Sequence, residues 1–407
     1  MNGSGDDGIT MTITGAPSLA SPSRPATAWP ASARPAAAPA TRLAALAGPL
    51  SLPGRGCARS LHSRVLQSPL AGVSDAIFRG LVRRWSADAL LFTEMVNATS
   101  LELGHGRQKV EELQLEQGPI GVQLFDHRPS AMADAARRAE AAGAFLIDIN
   151  MGCPVKKIAR KGGGSGLIRD PELAARIVET VAAAVSIPVT VKTRLAWCGA
   201  GSGAPGGGNP EESTAAVAVH WCRQLESAGA QLLTLHGRTR EQGFKGQADW
   251  GAIAAVKRDL TIPVIANGDI HSPADAWRCL ELTGADGVMV GRGTMGAPWL
   301  VGQIDAALRG RRVPPTPTAA ERLALAAEQL QALVAAKGDH GLLIARKHMG
   351  WTCTGFPGAP QLRHALMRAP SPAEALGLLE QAQAQLAAAA AQGSTGGQPW
   401  RISSSEK

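Results

Sequence analysis

Asp148-Ile149-Asn150-Met151-Gly152-Cys153-Pro154 is the stretch that organises the chain, followed by Lys156, Lys157, Arg160 and Lys161 and then by Gly162-Gly163-Gly164. The apolar run Phe145–Ile149 reads as a buried strand that ends in a polar pair and a turn. Gly152 frees the backbone and Pro154 stiffens it, so Cys153 is presented on a loop at a strand's end. A thiol on a fixed loop beside four closely spaced cations reads as a reactive cysteine facing an anion. The plain alternative is a buried, inert cysteine next to a solvated basic face.

Seven further apolar runs join this one in a strand–helix alternation: Val65–Ala71, Ala89–Thr93, Ile120–Phe125, Ile187–Lys192, Gln231–His236, Pro263–Asn267 and Gly287–Val290. Helical patterns lie between them, over Pro129–Ala142, Pro171–Ala184, Ser213–Ala228 and Ser272–Leu282. Eight runs separated by helices predict a TIM (β/α)8 barrel spanning residues 63–308. A doubly wound sheet is the competitor, but no GxGxxG follows the first run. Polar residues end the runs: Gln123, Asn150, Lys192, Arg194, His236, Asn267 and Asp269. In a barrel those ends converge on one mouth. Asn267-Gly268-Asp269 after the seventh run and Gly291-Arg292-Gly293 after the eighth add a phosphate signal. There glycines let N–H groups approach an anion and Arg292 adds a charged donor.

Beyond about Arg309 the strands stop. Ala319–Lys337, Gly341–Trp351 and Pro372–Ala391 read as helices of a separate all-helical domain, residues 309–392, carrying Arg346-Lys347-His348 and Arg363-His364. The basic residues have a plain reading as a solvated face. Residues 393–407 read as a disordered tail. Cys198 to Asn209 is a glycine-rich insertion after the fifth run, expected to be flexible.

Residues 1–62 are rich in Ala, Pro, Ser and Arg, and no acidic residue occurs from Gly8 to Ser74. That is the composition of a transit peptide for a plastid or a mitochondrion. The alternative is a disordered extension with no address, which would leave the protein cytoplasmic. The chain of 407 residues has a mean hydropathy of -0.02, and no apolar run of membrane-spanning length is found. Six cysteines scattered without CxxC spacing argue against zinc and against a disulfide framework. No metal is expected. Residues 1–68 hold six arginines and two aspartates, so half of the net charge of +8 belongs to the leader. Evidence for nucleic acid must therefore come from local clusters.

The motifs together resemble the tRNA-dihydrouridine synthases, the bacterial B-type and its cyanobacterial and plastid relatives in particular. The likeness runs from about Gln67 to about Arg368 through Ser68-Pro69-Leu70-Ala71-Gly72, Thr93-Glu94-Met95-Val96, Gly121-Val122-Gln123-Leu124-Phe125 and the Asp148–Pro154 stretch. It continues through Val191-Lys192-Thr193-Arg194, Leu235-His236-Gly237-Arg238-Thr239-Arg240, Asn267-Gly268-Asp269, Gly291-Arg292-Gly293 and Arg346-Lys347-His348. The resemblance implies an FMN enzyme, recharged by NADPH, that reduces a uridine of tRNA. It implies that Pro69, Leu70 and Ala71 line the flavin ring, that Gln123 hydrogen-bonds it and that Lys192 meets its pyrimidine side. His236, Asn267, Gly268, Asp269, Gly291 and Arg292 would hold the flavin's phosphate. Asn150 and Arg194 would contact the target base, with Cys153 as general acid. Lys156, Lys157, Arg160, Lys161, Arg346 and Lys347 would contact the RNA backbone. The chain is expected to act as a monomer. It departs from the family pattern in having no tyrosine, in Leu70 where Met is usual, and in Thr352 and Thr354 where an aromatic and a lysine are usual. A small-molecule FMN barrel oxidoreductase and a tRNA-binding factor without activity stay open as alternatives.

Overall fold

The computed structural model describes residues 45–199 and 212–391. Most of the leader, nearly all of the glycine-rich insertion and the tail lie outside these residues. Eleven strand segments are described: β1 (Leu50–Leu52), β2 (Arg59–Leu61), β3 (Val65–Gln67), β4 (Leu91–Phe92), β5 (Val96–Asn97), β6 (Ile120–Phe125), β7 (Leu146–Met151), β8 (Val189–Arg194), β9 (Leu233–His236), β10 (Val264–Asn267) and β11 (Gly287–Val290). β1 and β2 form an antiparallel hairpin. The others form one parallel sheet in the order β3-β11-β10-β9-β8-β7-β6-β4, with β5 also on β6. A parallel bridge from Leu66 to Leu90 and a bond from the Gln67 N–H to the Leu90 carbonyl, 3.1 Å, join the two ends. The sheet is thus an eight-stave barrel, as the alternation predicts. Its second stave is broken into β4 and β5, which pair with successive halves of β6.

The outer helices begin where the sequence supplies a cap. Asp75 caps α1 (Ala76–Arg83), and α2 (Ala98–Glu102) follows β5 with Asn97 as its cap. α3 (Pro129–Ala141) opens with a proline, and α4 (Lys156–Arg160) is the short helix that carries the basic cluster. Asp170, Ser213, Asp249 and Ser272 cap α5 (Pro171–Ala184), α6 (Thr214–Ser227), α7 (Trp250–Asp259) and α8 (Pro273–Thr283), and α9 (Leu300–Leu308) completes the ring. The C-terminal segment comprises α10 (Ala319–Lys337), α11 (Asp339–Thr352), α12 (Ala359–Arg368) and α13 (Pro372–Ala391). It has its own apolar core around Leu323, Leu330, Leu333, Leu362, Leu366 and Leu379. No described helix is long and apolar enough to cross a membrane.

α1 is the seat of the helical segment. Ile77 packs against that segment's core, and the Phe78 ring lies 5.7 Å from the His348 ring. Arg84 pairs with Glu328. A Cβ at Gly296, whose φ is +72°, would stand 2.6 Å from the backbone of Trp351, so only glycine lets the two segments come this close.

The fold begins earlier than Ser63, the boundary expected from composition. Leu52 and Leu61 of the hairpin are almost fully buried in one cluster with Leu66, Leu90, Phe92, Leu146, Leu232, Ile265 and Met289. These last residues lie on the barrel staves or directly before them, so the hairpin closes off the barrel's apolar interior. Backbone N–H groups of Arg55, Gly56 and Cys57 all reach the Ser186 carbonyl, at 2.9 to 3.1 Å. Arg64 ties down the approach by bonding the carbonyls of Ala45, Gly48 and Pro49. Three-residue strands in a proline-rich stretch carry too short a pattern to be read as structure.

Leu52→Ala should destabilise the protein by about 2–5 kcal/mol, the cost of a buried leucine's cavity. Deleting residues 1–62 should expose the Leu66–Phe92–Leu146 layer and lower the denaturation midpoint further. Unchanged urea unfolding in both variants would show that the hairpin is not part of the core.

Candidate active site

The polar strand ends meet as the barrel requires. Register places Gln123 beside Asp148, Asn150 beside Lys192, Lys192 beside Thr234, Arg194 beside His236, and His236 beside Asn267. Alternate residues of a stave point inward, so these side chains share the mouth.

Asp148 is fully buried. Thr190 Oγ1 donates to its Oδ1 at 2.7 Å and Gln123 Nε2 to its Oδ2 at 2.7 Å. Burial drives its pKa up to about 6, against the pull of those two hydrogen bonds and of Lys192. Gln123 Oε1 in turn accepts from Asn150 Nδ2, 2.8 Å. Asn150 Oδ1 then accepts the N–H groups of Gly152, 3.1 Å, and Cys153, 2.9 Å. Asn150, expected at the target base, therefore holds the cysteine loop. Ser165 binds the Cys153 carbonyl from the other side, through both its N–H and its hydroxyl. Burial pushes the Cys153 thiol up, opposed by the Val155 N–H, Arg194 and Lys192. It is a protonated thiol at neutral pH.

Lys192 Nζ donates to Asn267 Oδ1 at 3.2 Å, and Asn267 Nδ2 to the Met289 carbonyl at 2.8 Å. Burial first, and then the neighbouring Arg194, bring Lys192 down to about 8. Arg194 is also buried and spends its donors on backbone: Nε on Gly152, 2.8 Å, and Nη1 on Thr239, 3.0 Å, and Gly243, 2.8 Å. It staples the cysteine loop to the loop after β9. Burial brings it to about 10.

The phosphate signal takes a particular form. Asp269 has φ +56°, and its carboxylate accepts from Arg238 Nη2 at 2.8 and 2.7 Å and from the Ala248 N–H at 2.7 Å. Arg292 stands 3.6 Å away on the same carboxylate. Although burial opposes it, the bonds from Arg238 and Ala248 hold Asp269 below the usual carboxylate range. An acidic side chain so engaged orients arginines. Burial, then Arg194 and Lys192, hold His236 well below its ordinary value, so its imidazole is neutral; Arg238 Nη1 lies 3.3 Å from its Nε2. A Cβ at Gly268, φ +122°, would fall 2.8 Å from Ala248 and 3.1 Å from the His236 ring. Pro69 and Leu70 are half-buried and Ala71 exposed on the loop after β3. Ser74 Oγ accepts the Leu70 N–H at 2.8 Å and braces that loop, and Leu70 approaches Gly291.

Arg238 and Phe244 were assigned no role from sequence. Arg238 is signalled only by its place two residues after His236. Phe244 is 55% exposed, with the Arg292 guanidinium 4.8 Å and the Arg194 guanidinium 5.6 Å from its ring. Lys156, Lys157, Arg160 and Lys161 are exposed on and just after α4, and no salt bridge among the described residues engages them. Arg346 and Lys347 turn inward. Arg346 bonds the Ala369 carbonyl at 3.1 Å, and Lys347 Nζ occupies the space beside Gly72 that a Cβ would fill, in the field of Glu94 and Asp75. A cavity of about 390 Å3 lined by Arg59, His62, Glu116 and Phe145 touches none of the polar strand-end residues. No cluster of metal-ligating side chains occurs among the described residues.

The profile of the family described as Dihydrouridine synthase (Dus) matches residues 66–390. The chain belongs to the dihydrouridine synthase family. This oxidoreductase family accounts for the motif order from β3 to α12. The chain is 52% identical over 323 residues to the probable tRNA-dihydrouridine synthase 1 of Synechocystis, covering 79% of this chain and 87% of the relative. It is 39% identical to the tRNA-dihydrouridine synthase B of Pseudomonas aeruginosa, covering 75% and 88%. Among solved structures, histamine dehydrogenase from Rhizobium sp. 4-9 superposes with a TM-score of 0.51 at 14% identity, over 66% of this chain and 49% of that one, a likeness of fold alone.

The depressed Lys192 gives a signed pH effect. Its folded value of about 8 lies below the unfolded value of about 10.4, so between these the unfolded chain binds the extra proton. With no anion bound, stability should therefore rise with pH across that window. Lys192→Met should remove this rise and be the more stable protein below about pH 8. Urea midpoints of both proteins across the window test the sign. A wild-type curve parallel to the variant's would contradict it.

Proposed function

We propose that the chain is an FMN-dependent tRNA-dihydrouridine synthase, recharged by NADPH, with Cys153 as the acid that protonates the reduced uracil. The observation that carries this reading is a cysteine loop pinned by Asn150 and Arg194 at the rim of a mouth with excess positive charge.

The residues fit a flavin mononucleotide. Among the described residues, Lys192, Arg194, Arg238 and Arg292 meet the carboxylates of Asp148 and Asp269 in the mouth, and partly buried cations without full compensation favour an anionic occupant. Arg292, Arg238 and the neutral His236, with the backbone at Gly268, would hold the phosphate. Lys192 would neutralise charge on the ring and Gln123 would offer it the second Nε2 hydrogen. When bound, the flavin supplies a hydride.

The protein's own part is positioning and proton delivery. Hydride addition at carbon 6 of uracil leaves negative charge toward carbon 5, which needs one proton. Cys153 keeps its proton near neutrality because burial outweighs the cations around it. Those same cations stabilise the thiolate left behind. Arg194, with its donors on three loop carbonyls, keeps the cysteine loop and the loop after β9 in register.

A base inside folded RNA must be swung out to reach this mouth, at a cost of a few kcal/mol. The exposed cluster Lys156, Lys157, Arg160 and Lys161 begins three residues beyond Cys153 and suits the flanking phosphates. With Arg346 and Lys347 turned inward, His364 and Arg368 are the exposed basic groups of α12 left for RNA.

Incubating the full chain with NADPH and unmodified tRNA should yield dihydrouridine, and Cys153→Ala should lower the rate by about 100-fold or more with flavin still bound. Full activity in Cys153→Ala would remove the thiol from the mechanism. No product from a flavin-loaded wild type would transfer the site to a small-molecule substrate. Changing the four cations of the α4 region to glutamine should weaken tRNA binding and flatten its salt dependence by about 0.7–0.9 in log–log slope per lost phosphate contact. An unchanged slope would place the RNA elsewhere.

A further inference from the structure

We propose that Asp148 is a positioning residue for the Cys153 thiol, acting through Gln123 on the neighbouring stave and Asn150 on its own. Asp148 and Cys153 are linked by a continuous line of hydrogen bonds: Gln123 Nε2 to Asp148 Oδ2, 2.7 Å; Asn150 Nδ2 to Gln123 Oε1, 2.8 Å; and the Cys153 and Gly152 N–H groups to Asn150 Oδ1, 2.9 and 3.1 Å.

The argument rests on which groups can only accept. A carboxylate accepts and an amide side chain has one face of each kind. Asp148 therefore turns the Gln123 nitrogen toward itself and leaves the oxygen for Asn150. That oxygen turns the Asn150 nitrogen inward and leaves its oxygen for the loop. If either amide is reversed, two donors meet at one junction or two acceptors at another. The loop offers only N–H groups, so Asn150 can hold it in one sense alone. All three side chains are buried, where a mispaired amide costs about 1–3 kcal/mol. The buried charge on β7 thus decides the sense of a line that crosses to β6 and returns to the end of β7. Thr190 completes the far end by donating to Asp148 Oδ1, and its hydroxyl can also turn toward the Ile147 carbonyl, 3.4 Å away.

Two substitutions at Asp148 separate this from simple packing. Asp148→Asn keeps an oxygen for Gln123 if its amide nitrogen faces Thr190, whose hydroxyl accepts as well as donates. The sense of the line survives. Asp148→Leu leaves the Gln123 nitrogen unpaired and both amides free to reverse, which loosens the loop at the end held by Asn150.

The thiol itself provides a readout that does not depend on turnover. Its pKa is raised by burial, so release into solvent should lower it and speed alkylation. A fall of one unit makes thiolate, and hence labelling by iodoacetamide, about tenfold more abundant. Labelling of the Cys153 peptide in the flavin-loaded full chain, followed against pH, should be about tenfold faster in Asp148→Leu and near wild type in Asp148→Asn. Asn150→Ala, which cuts the last link, should match Asp148→Leu, and the double variant should add nothing. Wild-type labelling in Asp148→Leu with fast labelling in Asn150→Ala would overturn the proposal, as would equal effects of Leu and Asn at position 148. If Asp148→Leu does not fold, Asp148→Asn combined with Thr190→Val replaces it, since the asparagine nitrogen then has no acceptor to face, and fast labelling is again expected. Dihydrouridine formation is a second readout that rests on the proposed role of Cys153. In Asp148→Leu kcat should fall about 10- to 100-fold with KM for tRNA little changed. Loss of the labelling effect sinks the positioning role, whereas intact labelling effects with no turnover in any protein, wild type included, would sink the proposed reaction instead.

Discussion

The constraint on which the rest depends is the burial of the Asp148 carboxylate beside the half-buried Lys192 in one barrel. Each would be solvated more cheaply outside. Burial raises the acid to about 6 and lowers the base to about 8, so both still carry charge at neutral pH. They are tied into the barrel by different partners. Asp148 is held by Thr190 and Gln123, Lys192 by Asn267, and each favours the other's charge through space. Such a polar layer is tolerable only if its members are satisfied, because an unpaired buried group costs more than an apolar one. The staves meet that demand by bringing inward-facing polar side chains of neighbouring strands within hydrogen-bond reach of one another. Below this layer the barrel interior is apolar and stopped by the hairpin residues Leu52 and Leu61.

Above it, charge is deliberately left unbalanced. Asp269 gathers Arg238 and Arg292, Arg194 braces two loops, and His236 stays neutral because it is buried among four cations, burial being the larger cause. A thiol placed among these groups feels two opposed influences. Burial keeps its proton on, and the cations make the departure of that proton affordable when a stronger base arrives. A general acid requires that balance, and a solvated cysteine has neither half of it. The aromatic ring of Phe244, between two guanidinium groups, extends the same surface outward.

The helical segment meets the catalytic half chiefly through α1. Of its basic residues, Arg346 bonds the Ala369 carbonyl at the end of α12 and Lys347 is half-buried near Gly72, while His364 and Arg368 are exposed. A run of Arg and Lys in sequence therefore says little about which cations are free, because half of a helix faces inward whatever its composition.

Much of this was open to reading in the linear chain. Strand ends such as Asn150, Lys192, His236 and Asn267 follow from apolar runs that stop in polar residues, and parallel strands joined by helices can converge only at one end. The cysteine loop, the glycine turns and the separate helical segment are local in sequence and equally legible. What local pattern could not supply is pairing. That Asn150 and Arg194 also hold the cysteine loop emerges only when the fold brings Gln123, Gly152 and Thr239 against them. Asp269 looks like part of a phosphate loop until Arg238 lies on it. The hairpin looks like leader until Leu52 finds the barrel interior. In each case the partner lies on another stave or loop, and a hydrogen bond's direction depends on the group opposite. Sequence alone determined which chemistry the mouth contains. The tertiary structure decided which residues perform it and which hold them in place.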